Sequence, residues 1–290
     1  MTHRRAILLM LLITLMWSIA GVVTRHLESA RGFEVTFWRS LFTALSLLVY
    51  FVWQHGRATL TQFKGGKVLW LSGLMWACMF TCFMMALSMT TVANVLITMS
   101  LAPLMAALLA RFMLGLQVPQ RTWVAILVAG AAIAWMYSSG LSGDPRHLAG
   151  SLVALGVPLA AAINWNLIRR TATSVDLLPA LLIGAVLSSL VTGPLSWPWH
   201  SSPHDLGLLA LLGLFQLAIP CILAVRVARH LPAPEMALLA LLEIVFGIAL
   251  VWWGAGEEPS HQVLVGGAVV LTTLAVNEWL GMRSRRLNGS

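Results

Sequence analysis

Two charged residues inside long apolar runs of this sequence are its first candidates for chemistry. Glu243 lies within the run 234–254, and Arg39 lies within the run 33–54. A charge buried at the centre of a bilayer costs roughly 2.5 to 3.5 kcal/mol, so such residues are functional hypotheses. Glu243 is the deeper of the two, and three roles are open for it: binding the cationic part of a substrate, carrying a coupling proton, or pinning its helix to a neighbour. For Arg39 a gating or structural role is favoured over substrate contact.

Other polar and aromatic side chains lie at mid-depth in apolar runs. Each one alone is typical of a hydrogen bond between helices, or of helix packing. Together they suit the wall of a site for a small organic solute with an apolar body and a few polar handles. The candidate cavity residues are Trp17, Ser18, Trp76, Thr98, Ser100, Asn164, Trp165, Gln216 and Glu243, and the candidate gating or structural residues are Arg39, Pro103 and Pro220.

The sequence lacks the usual signatures of several other functions. The three cysteines form no CxxC pair, and the eight histidines fall at the termini, in loops or near the ends of apolar runs, so we predict no metal site and no cofactor. No HExxH or GxSxG motif is present, which argues against an enzyme. No nucleotide-binding loop is present either, so any work must be driven by a gradient. The net charge of +8 comes from basic residues scattered through short loops, which argues against nucleic acid as a partner.

The elements that must position these residues follow from composition. Of 290 residues, 59% are hydrophobic and 10% are charged, whereas soluble domains carry about a quarter charged residues. We therefore predict an all-α polytopic membrane protein with ten transmembrane helices. The first run is longer than the apolar core of a signal peptide, so we count it as a helix. The predicted helices are 5–25, 33–54, 67–88, 92–115, 121–139, 148–169, 177–197, 206–228, 234–254 and 261–281.

Basic residues are distributed unequally over the loops of this map. The termini carry His3-Arg4-Arg5 and Arg283-Ser284-Arg285-Arg286, and most other basic residues fall in loops on the same side. The opposite side carries fewer, together with the acidic pair Glu257-Glu258. By the positive-inside rule, both termini are cytoplasmic, and the location is a bacterial-type inner membrane.

The two halves of the chain resemble each other at an offset of about 140 residues. Gly73 then corresponds to Gly213, and the Ala102-Pro103 step falls by Glu243-Ile244. We predict two five-helix repeats, 1–140 and 148–290. Five is odd, so the second repeat enters the membrane from the other side and the repeat is inverted. Inverted repeats are typical of secondary transporters, which hold their substrate near the membrane midplane.

With this pattern the sequence resembles the drug/metabolite transporter superfamily in its EamA-type branch. The matching stretches are "LMWSIAGVVTRH", "FWRSLFTALSLL", "ANVLITMSLAPLMAALLARFMLG" and "LLALLEIVFGIAL". Two departures stand out: the family often has Glu-Pro where this chain has Glu243-Ile244, and often has a glutamate where this chain has Gln117. Without that proline, helix 9 is expected to be straighter than its counterpart helix 4, which contains Pro103.

The resemblance implies a function and an arrangement. Such proteins export amino acids and other small metabolites, and fewer import them; multidrug efflux is a further alternative. Helices 1, 3, 4, 6, 8 and 9 would enclose the cavity, helices 2 and 7 would flank it and move, and helices 5 and 10 would lie at the periphery. Small residues on helices 5 and 10 allow close packing within one chain or across a homodimer, so both a monomer and a homodimer are open. Those residues are Ala125, Ala129, Gly130, Ala134, Gly266, Gly267 and Ala268.

Overall fold

The computed structural model describes residues 2–141, 145–171, 177–227, 230–231 and 233–288, and their regular structure is helical throughout. Ten helices among these residues are long and apolar enough to cross a membrane, which confirms the predicted all-α, ten-span class. A short 3₁₀ helix, Gly56–Phe63, joins the second and third spans. The spans are α1 (His3–Arg25), α2 (Phe33–His55), α3 (Gly66–Met89), α4 (Val92–Met99 and Ala102–Leu114), α5 (Gln120–Leu141), α6 (Pro145–Ala154 and Gly156–Thr171), α7 (Leu177–Leu195), α8 (Pro203–Leu211, Leu212–Ala218 and Ile219–Val227), α9 (Ala233–Ala240 and Leu242–Ala255) and α10 (His261–Asn288).

Contacts between loops define two faces of the helix bundle. The α1–α2, α3–α4, α7–α8 and α9–α10 connections lie together, because side chains near residues 25, 34, 205 and 257 bond from one connection to another. We call this the loop face. The start of α1 and the start of α9 meet at the other end through His3 and Glu235, and we call that end the terminal face.

The helix pairing is the one that a two-fold relation between five-helix halves would produce. Helix α1 packs on α9 as α6 packs on α4, α3 packs on α7 as α8 packs on α2, and α3 packs on α6 as α8 packs on α1. Helices α2 and α7 pack on each other, as do α5 and α10. If each helix is replaced by the helix five places further along or back in the chain, every pair in this set becomes another pair of the set or stays the same pair. This pattern supports the predicted repeat.

Two glycines show why corresponding helices cross closely. A Cβ atom on Gly73 of α3 would lie 2.8 Å from Cβ of Ile183 in α7. A Cβ atom on Gly213 of α8 would lie 2.7 Å from Cβ of Phe42 and 2.8 Å from the amide nitrogen of Thr43 in α2. Real Cβ atoms do not approach neighbours so closely. Glycine is therefore required at both crossings, and the two positions are the pair aligned in the sequence.

The helix breaks and helix ends also repeat at this offset. Helix α4 is interrupted after Met99 and resumes at Ala102, and α9 is interrupted at Leu241 and resumes at Leu242. Both then end on a glycine with positive φ, Gly115 and Gly256, which only glycine adopts without strain. Helix α9 is interrupted without a proline, by a tight i to i−3 turn in which the Leu241 amide bonds to the Leu238 carbonyl at 3.3 Å. Its interruption is one residue long and that of α4 is two, and a straighter helix 9 stays a prediction.

The apolar core consists of one large cluster and smaller separate ones. The largest cluster contains residues of every span except α7, such as Met84 and Val251. A second cluster joins α2, α3, α7 and α8, with Phe51 and Leu181 among its buried members. A third cluster, toward the termini, joins α1, α8 and α9 and includes Met10. Apolar packing near the terminal face is thus divided between separate clusters.

Small residues of α5 and α10 pack partly within the chain. A Cβ atom on Gly266 would meet the Met136 side chain of α5, and one on Gly267 would meet Ile97 of α4. By contrast, a Cβ atom on Gly130 would meet nothing within 4 Å. The buried part of this small-residue face thus contributes to packing within one chain.

Candidate functional site

Glu243 lies near the middle of the bundle in an unusual local setting. It is the second residue after the break in α9, and at 1.5 Å per residue it is about 15 Å along the helix from Ala233 and about 18 Å from Ala255. Its side chain is partly accessible, and among the described residues it makes no hydrogen bond and no ion pair. The break leaves this carboxyl at the start of a helix segment, partly accessible and without a partner in the described part of the chain.

Arg39 is enclosed by three helices. Its side chain is 2% exposed. Its Nε and Nη2 donate to Oε1 of Gln216 in α8 at 3.2 and 2.8 Å, and the guanidinium carbon lies 5.7 Å from the ring centres of Phe80 and Phe83 in α3. Its Nη1 is buried without a hydrogen-bond partner among the described residues. Arg39 thus places an incompletely satisfied positive charge inside the bundle.

Gln216 connects this arginine to α1. Its Nε2 donates to the Trp17 carbonyl at 3.2 Å, so one amide side chain joins α2, α8 and α1. Gln216 lies in the π-helical segment of α8, and Pro220, which has no amide hydrogen for the preceding turn, follows shortly after it. Wide turns of this kind are frequent at functional sites because they re-aim side chains.

The stretch of α1 at Trp17 and Ser18 lies near both charges. The Trp17 carbonyl accepts from Gln216, the partner of Arg39. A Cβ atom on Gly247, one helical turn after Glu243, would lie 3.6 Å from the Ser18 carbonyl. The structure therefore brings the predicted Trp17, Ser18 and Gln216 close together and puts Glu243 about one turn away from them.

Three predicted residues, Ser18, Ser100 and Pro103, lie at turns of α1 and α4. The Ser18 hydroxyl is buried and donates to the Leu15 carbonyl at 2.7 Å. The Ser100 hydroxyl donates to the Ile97 carbonyl at 2.6 Å, at the break in α4. Pro103 lies in the first turn after that break, where its missing amide hydrogen leaves no bond unmade. In this conformation the two hydroxyls are bonded to backbone carbonyls of their own helices, and the proline begins a helix segment.

Thr98 belongs to a polar cluster nearer the loop face. It is fully buried, and its hydroxyl lies 2.6 Å from the Tyr137 hydroxyl of α5. The Tyr137 hydroxyl donates to the Ser151 carbonyl of α6 at 2.8 Å, and the Ser151 hydroxyl lies 3.3 Å from that of Thr90. This cluster ties α4, α5 and α6 together, so in this conformation Thr98 holds helices.

The remaining candidates lie on α3 and α6. Trp76 packs beside Phe80 with ring centres 5.7 Å apart, and its indole nitrogen is buried without a partner among the described residues. The amide oxygen of Asn164 is likewise buried without a partner there. Asn166, which follows shortly after it, donates to the Ala106 carbonyl of α4 at 2.8 Å. Trp165 between them is 47% exposed on the surface of α6.

A partly buried ion pair ties the spans together at the loop face. The Arg25 Nε donates to the Glu257 carboxylate at 2.6 Å, and its two terminal nitrogens donate to the carbonyls of Leu87 and Thr90 at 2.7 and 2.8 Å. The other Glu257 oxygen accepts the Val92 amide at 2.7 Å. This network joins the end of α1 to the α3–α4 connection and to the start of the α9–α10 connection.

Two more carboxylates bind backbone amides at the same face. Asp205 of α8 is fully buried and accepts the amides of Glu28, Ser29 and Ala30, each at 2.8 Å. Glu34 of α2 accepts the amides of the α7–α8 connection at His200 and Ser201, again at 2.8 Å. Each of these carboxylates holds a loop against a helix that lies elsewhere in the chain.

The Asp205 region also gathers three groups able to bind a metal ion. Ligand atoms of Glu28, His204 and Asp205 lie within 4.8 Å of one another. Asp205, however, already accepts three backbone amides, and it lies in the first turn of α8, where the helix dipole opposes a cation. Its arrangement is that of a loop anchor.

The terminal face is held differently. The ion pair seen there, His3 with Glu235 at 2.8 Å, is surface-exposed and joins α1 to its neighbour α9 without crossing to the other side of the bundle. Polar contacts thus tie distant helices together at the loop face, while Glu243 stays partly accessible near the middle of the bundle.

Comparisons with known proteins agree with this architecture. Two curated relatives, the pseudopaline exporter CntI of Pseudomonas aeruginosa strain UCBPP-PA14 and that of strain PAO1, are each 22% identical over 277 residues, covering 92% of this chain and 94% of theirs. A solved crystal structure superposes with a TM-score of 0.66 at 18% identity, covering 97% of this chain and 98% of its own.

The family comparison covers nearly all of the spans. The profile of the EamA-like transporter family matches this sequence twice, at residues 4–138 and at residues 148–278. Those two matches take in more than half of the chain, including Arg39 in the first and Gln216 and Glu243 in the second. The chain therefore belongs to the EamA-like transporter family.

Proposed function

We propose that this protein is a secondary transporter of a bacterial-type inner membrane, which exports small organic metabolites such as amino acids by alternating access around a central site. Membership in a transporter family and full-length similarity to two exporters support transport and its outward direction. Import of a metabolite and multidrug efflux are the alternatives, and a membrane-embedded enzyme is less favoured.

The observation that carries this proposal is the setting of Glu243. A partly accessible carboxyl without a partner, near the middle of a span and beside a helix break, is what a solute site or a proton site needs. A glutamate that only pinned α9 to a neighbour would be hydrogen-bonded. Glu243 instead faces accessible space while the loop face above it is closed.

The side of access agrees with export. The positive-inside rule places the termini in the cytoplasm, so the terminal face is the cytoplasmic face. The closed loop face is then external, and the described conformation accepts solute from the cytoplasm. Release outside requires the loop-face network of Arg25 and Glu257 to open while the terminal halves of α1, α4, α6 and α9 come together.

An inverted repeat gives this cycle a simple physical basis. If the two halves are related by an axis in the membrane plane, the same chain supports two conformations that differ mainly in which face is closed. The exchangeable helix pairing and the repeated breaks of α4 and α9 support such a relation. Energy comes from a solute or proton gradient.

Reconstitution tests transport directly. Purified protein in liposomes loaded with unlabelled amino acids is expected to accumulate the same labelled amino acid by counterflow, without covalent change in the solute. Glu258→Gln, a substitution at an exposed acidic residue of the loop face, serves as the control and should transport at the wild-type rate, whereas Glu243→Gln should transport at a reduced rate. Formation of a new chemical product would overturn the proposal in favour of an enzyme.

A growth assay separates the directions and the solute classes. Overproduction in a host challenged with toxic amino acids, their analogues and drugs should give resistance to exported compounds and greater sensitivity to imported ones. Resistance limited to drugs would favour multidrug efflux over metabolite export.

A further inference from the structure

Arg39 is a buried cation without a counter-ion. Its side chain is 2% exposed, and the described residues place no carboxylate within ion-pair distance of it. Gln216 satisfies Nε and Nη2, and Phe80 and Phe83 offer ring faces, but Nη1 has no partner. A buried charge that is not fully paired is costly, so an anion at Nη1 would be strongly favoured.

Glu243 is the complementary case. Its carboxyl has no hydrogen bond and no ion pair among the described residues, and it stays partly accessible. Gln216, which holds Arg39, also donates to the Trp17 carbonyl of α1, and a Cβ atom on Gly247, one turn after Glu243, would lie 3.6 Å from the next carbonyl, that of Ser18. The two opposite charges therefore lie near the same stretch of α1, and neither neutralises the other by direct pairing.

We propose that Arg39 and Glu243 form a dipolar binding site for the transported solute, in which Nη1 of Arg39 receives a carboxylate and Glu243 receives an ammonium group. The assignment rests on the proposed transport function and adds a requirement to it: the solute carries both charges. A molecule with one charge leaves the other protein charge unpaired, so it binds more weakly.

The surroundings indicate the rest of the solute and the order of events. Phe80 and Phe83 supply aromatic walls beside Arg39, and Trp17 lies on the neighbouring α1, where its carbonyl accepts from Gln216. Aromatic surroundings of this kind suit an apolar side chain. Glu243 is accessible in this conformation whereas Nη1 is enclosed. The ammonium group therefore binds first, and the carboxylate meets Nη1 as α2 and α8 separate during opening of the loop face.

A matched series of probes tests the two charges separately. Equilibrium binding to the full-length protein in nanodiscs is measured for L-phenylalanine, its methyl ester, which lacks the carboxylate, and N-acetyl-L-phenylalanine, which lacks the ammonium group. Wild-type protein should bind phenylalanine about 10 to 100 times more tightly than either derivative, as expected for one charge-assisted contact.

The variants should each remove one preference. The Arg39→Gln variant is expected to bind phenylalanine and its methyl ester with equal affinity, because the site for the carboxylate is gone. It should still bind the N-acetyl form more weakly than phenylalanine. Glu243→Gln is expected to lose only the preference over the N-acetyl form. Arg39→Lys keeps the charge and should retain part of the first preference. Arg226→Gln, at an exposed arginine of α8, should match wild type.

Structural damage has a different outcome. Gln216→Leu removes the partner of Arg39 without changing any charge, and a fold defect would weaken all three probes equally. Equal losses for all probes in Arg39→Gln and Glu243→Gln would overturn the dipolar site, and would favour two residues that pair only with each other in another conformation.

Failure of this inference is separable from failure of the proposed function. Transport of a solute lacking either charge, with none of the twenty amino acids bound or transported, overturns the dipolar site and leaves transport intact. No transport of any solute in the reconstitution and growth assays overturns the proposed function itself.

Discussion

Glu243 is costly if it is ionised and useful if it can change its protonation state. A charge near the middle of a span costs roughly 2.5 to 3.5 kcal/mol, and no group of the described residues compensates this one by a hydrogen bond. A proton or a cationic solute removes the cost by neutralising the carboxyl. Competition between the two for one carboxyl is a direct way to couple solute export to proton entry.

Replacing Glu243 tests the coupling. Glu243→Gln preserves the size and polarity of the side chain but cannot bind a proton as a carboxylate does, so the protein should reach the membrane in normal amounts and lose the pH dependence of its transport. The measurement is initial transport rate in proteoliposomes between about pH 5 and 8, in parallel with Glu258→Gln. Unchanged pH dependence in the Glu243 variant would remove the proton-carrier role.

Asp205 stabilises the fold by accepting hydrogen bonds from three backbone amides of the α1–α2 connection. Asp205→Asn should destabilise the protein by about 1 to 3 kcal/mol, because one of the two oxygens that accept from residues 28–30 becomes an NH₂ group facing N–H donors. Thermal unfolding in detergent measures this change. Glu28→Gln beside it alters a 64% exposed side chain and should leave the unfolding temperature nearly unchanged; equal effects would contradict the anchor role.

Sequence patterns pointed to the residues of the proposed site but not to the loop-face anchors. Glu243, Arg39, Gln216 and Trp17 stood out because charged, amide and aromatic side chains are rare at mid-depth in apolar runs. The loop-face anchors were missed because acidic residues near loops are common. Their roles depend on contacts between residues about 165 to 232 positions apart, which local patterns do not encode.

At the level of helices, the close crossings depend on residues that have no side chain. Gly73→Val should lower the stability by about 1 to 3 kcal/mol, because the added carbons overlap Ile183 of α7. Gly130→Val in α5 adds the same side chain where a Cβ atom meets nothing within 4 Å, so its unfolding temperature in detergent should stay close to that of wild type. Similar losses in both variants would mean that β-branching, not overlap, causes the effect.

Helix positions were predicted to within a few residues, apart from the end of α10, which lies at Asn288 and was predicted at 281. Length and apolar character suffice to recognise a span. The breaks were harder to foresee. Pro103 gave a signal for the break in α4, but the break of α9 at Leu241 has no proline, and the π-helical turns around Gln216 have no local signature beyond the proline that follows. Such irregularities arise from packing between helices, and they occur where the candidate site residues lie.

For the whole molecule, the main asymmetry is that the polar networks joining loops to distant helices lie at the loop face. Toward the terminal face the apolar clusters are separate, and the ion pair described there is exposed and joins neighbouring helices. If the two faces of a transporter are held so unequally, one conformation is favoured at rest, here the one with the loop face closed. The free energy of the Arg25–Glu257 network contributes to the barrier against opening that face.

Weakening that network should shift the resting state. Arg25→Gln removes the ion pair and at least one of the two carbonyl contacts, so the loop face should open more often and Cys221 should become reachable from that side. With Cys78 and Cys82 replaced by alanine, Cys221 is the remaining cysteine of the chain, and a membrane-impermeant maleimide applied to either side of oriented vesicles reports its exposure. Labelling from the loop face should rise several-fold in Arg25→Gln and fall from the terminal face.

The control and the reversal sharpen this test. Arg31→Gln, whose guanidinium bonds only to carbonyls of its own connection among the described residues, should leave labelling unchanged. Exchanging the charges as Arg25→Glu with Glu257→Arg should not restore the seal, because the carbonyls of Leu87 and Thr90 need a donor and the Val92 amide needs an acceptor. Full restoration by the exchange would show that only the charge pair matters, and equal labelling from the loop face in wild type and Arg25→Gln would show that the network does not hold this face closed.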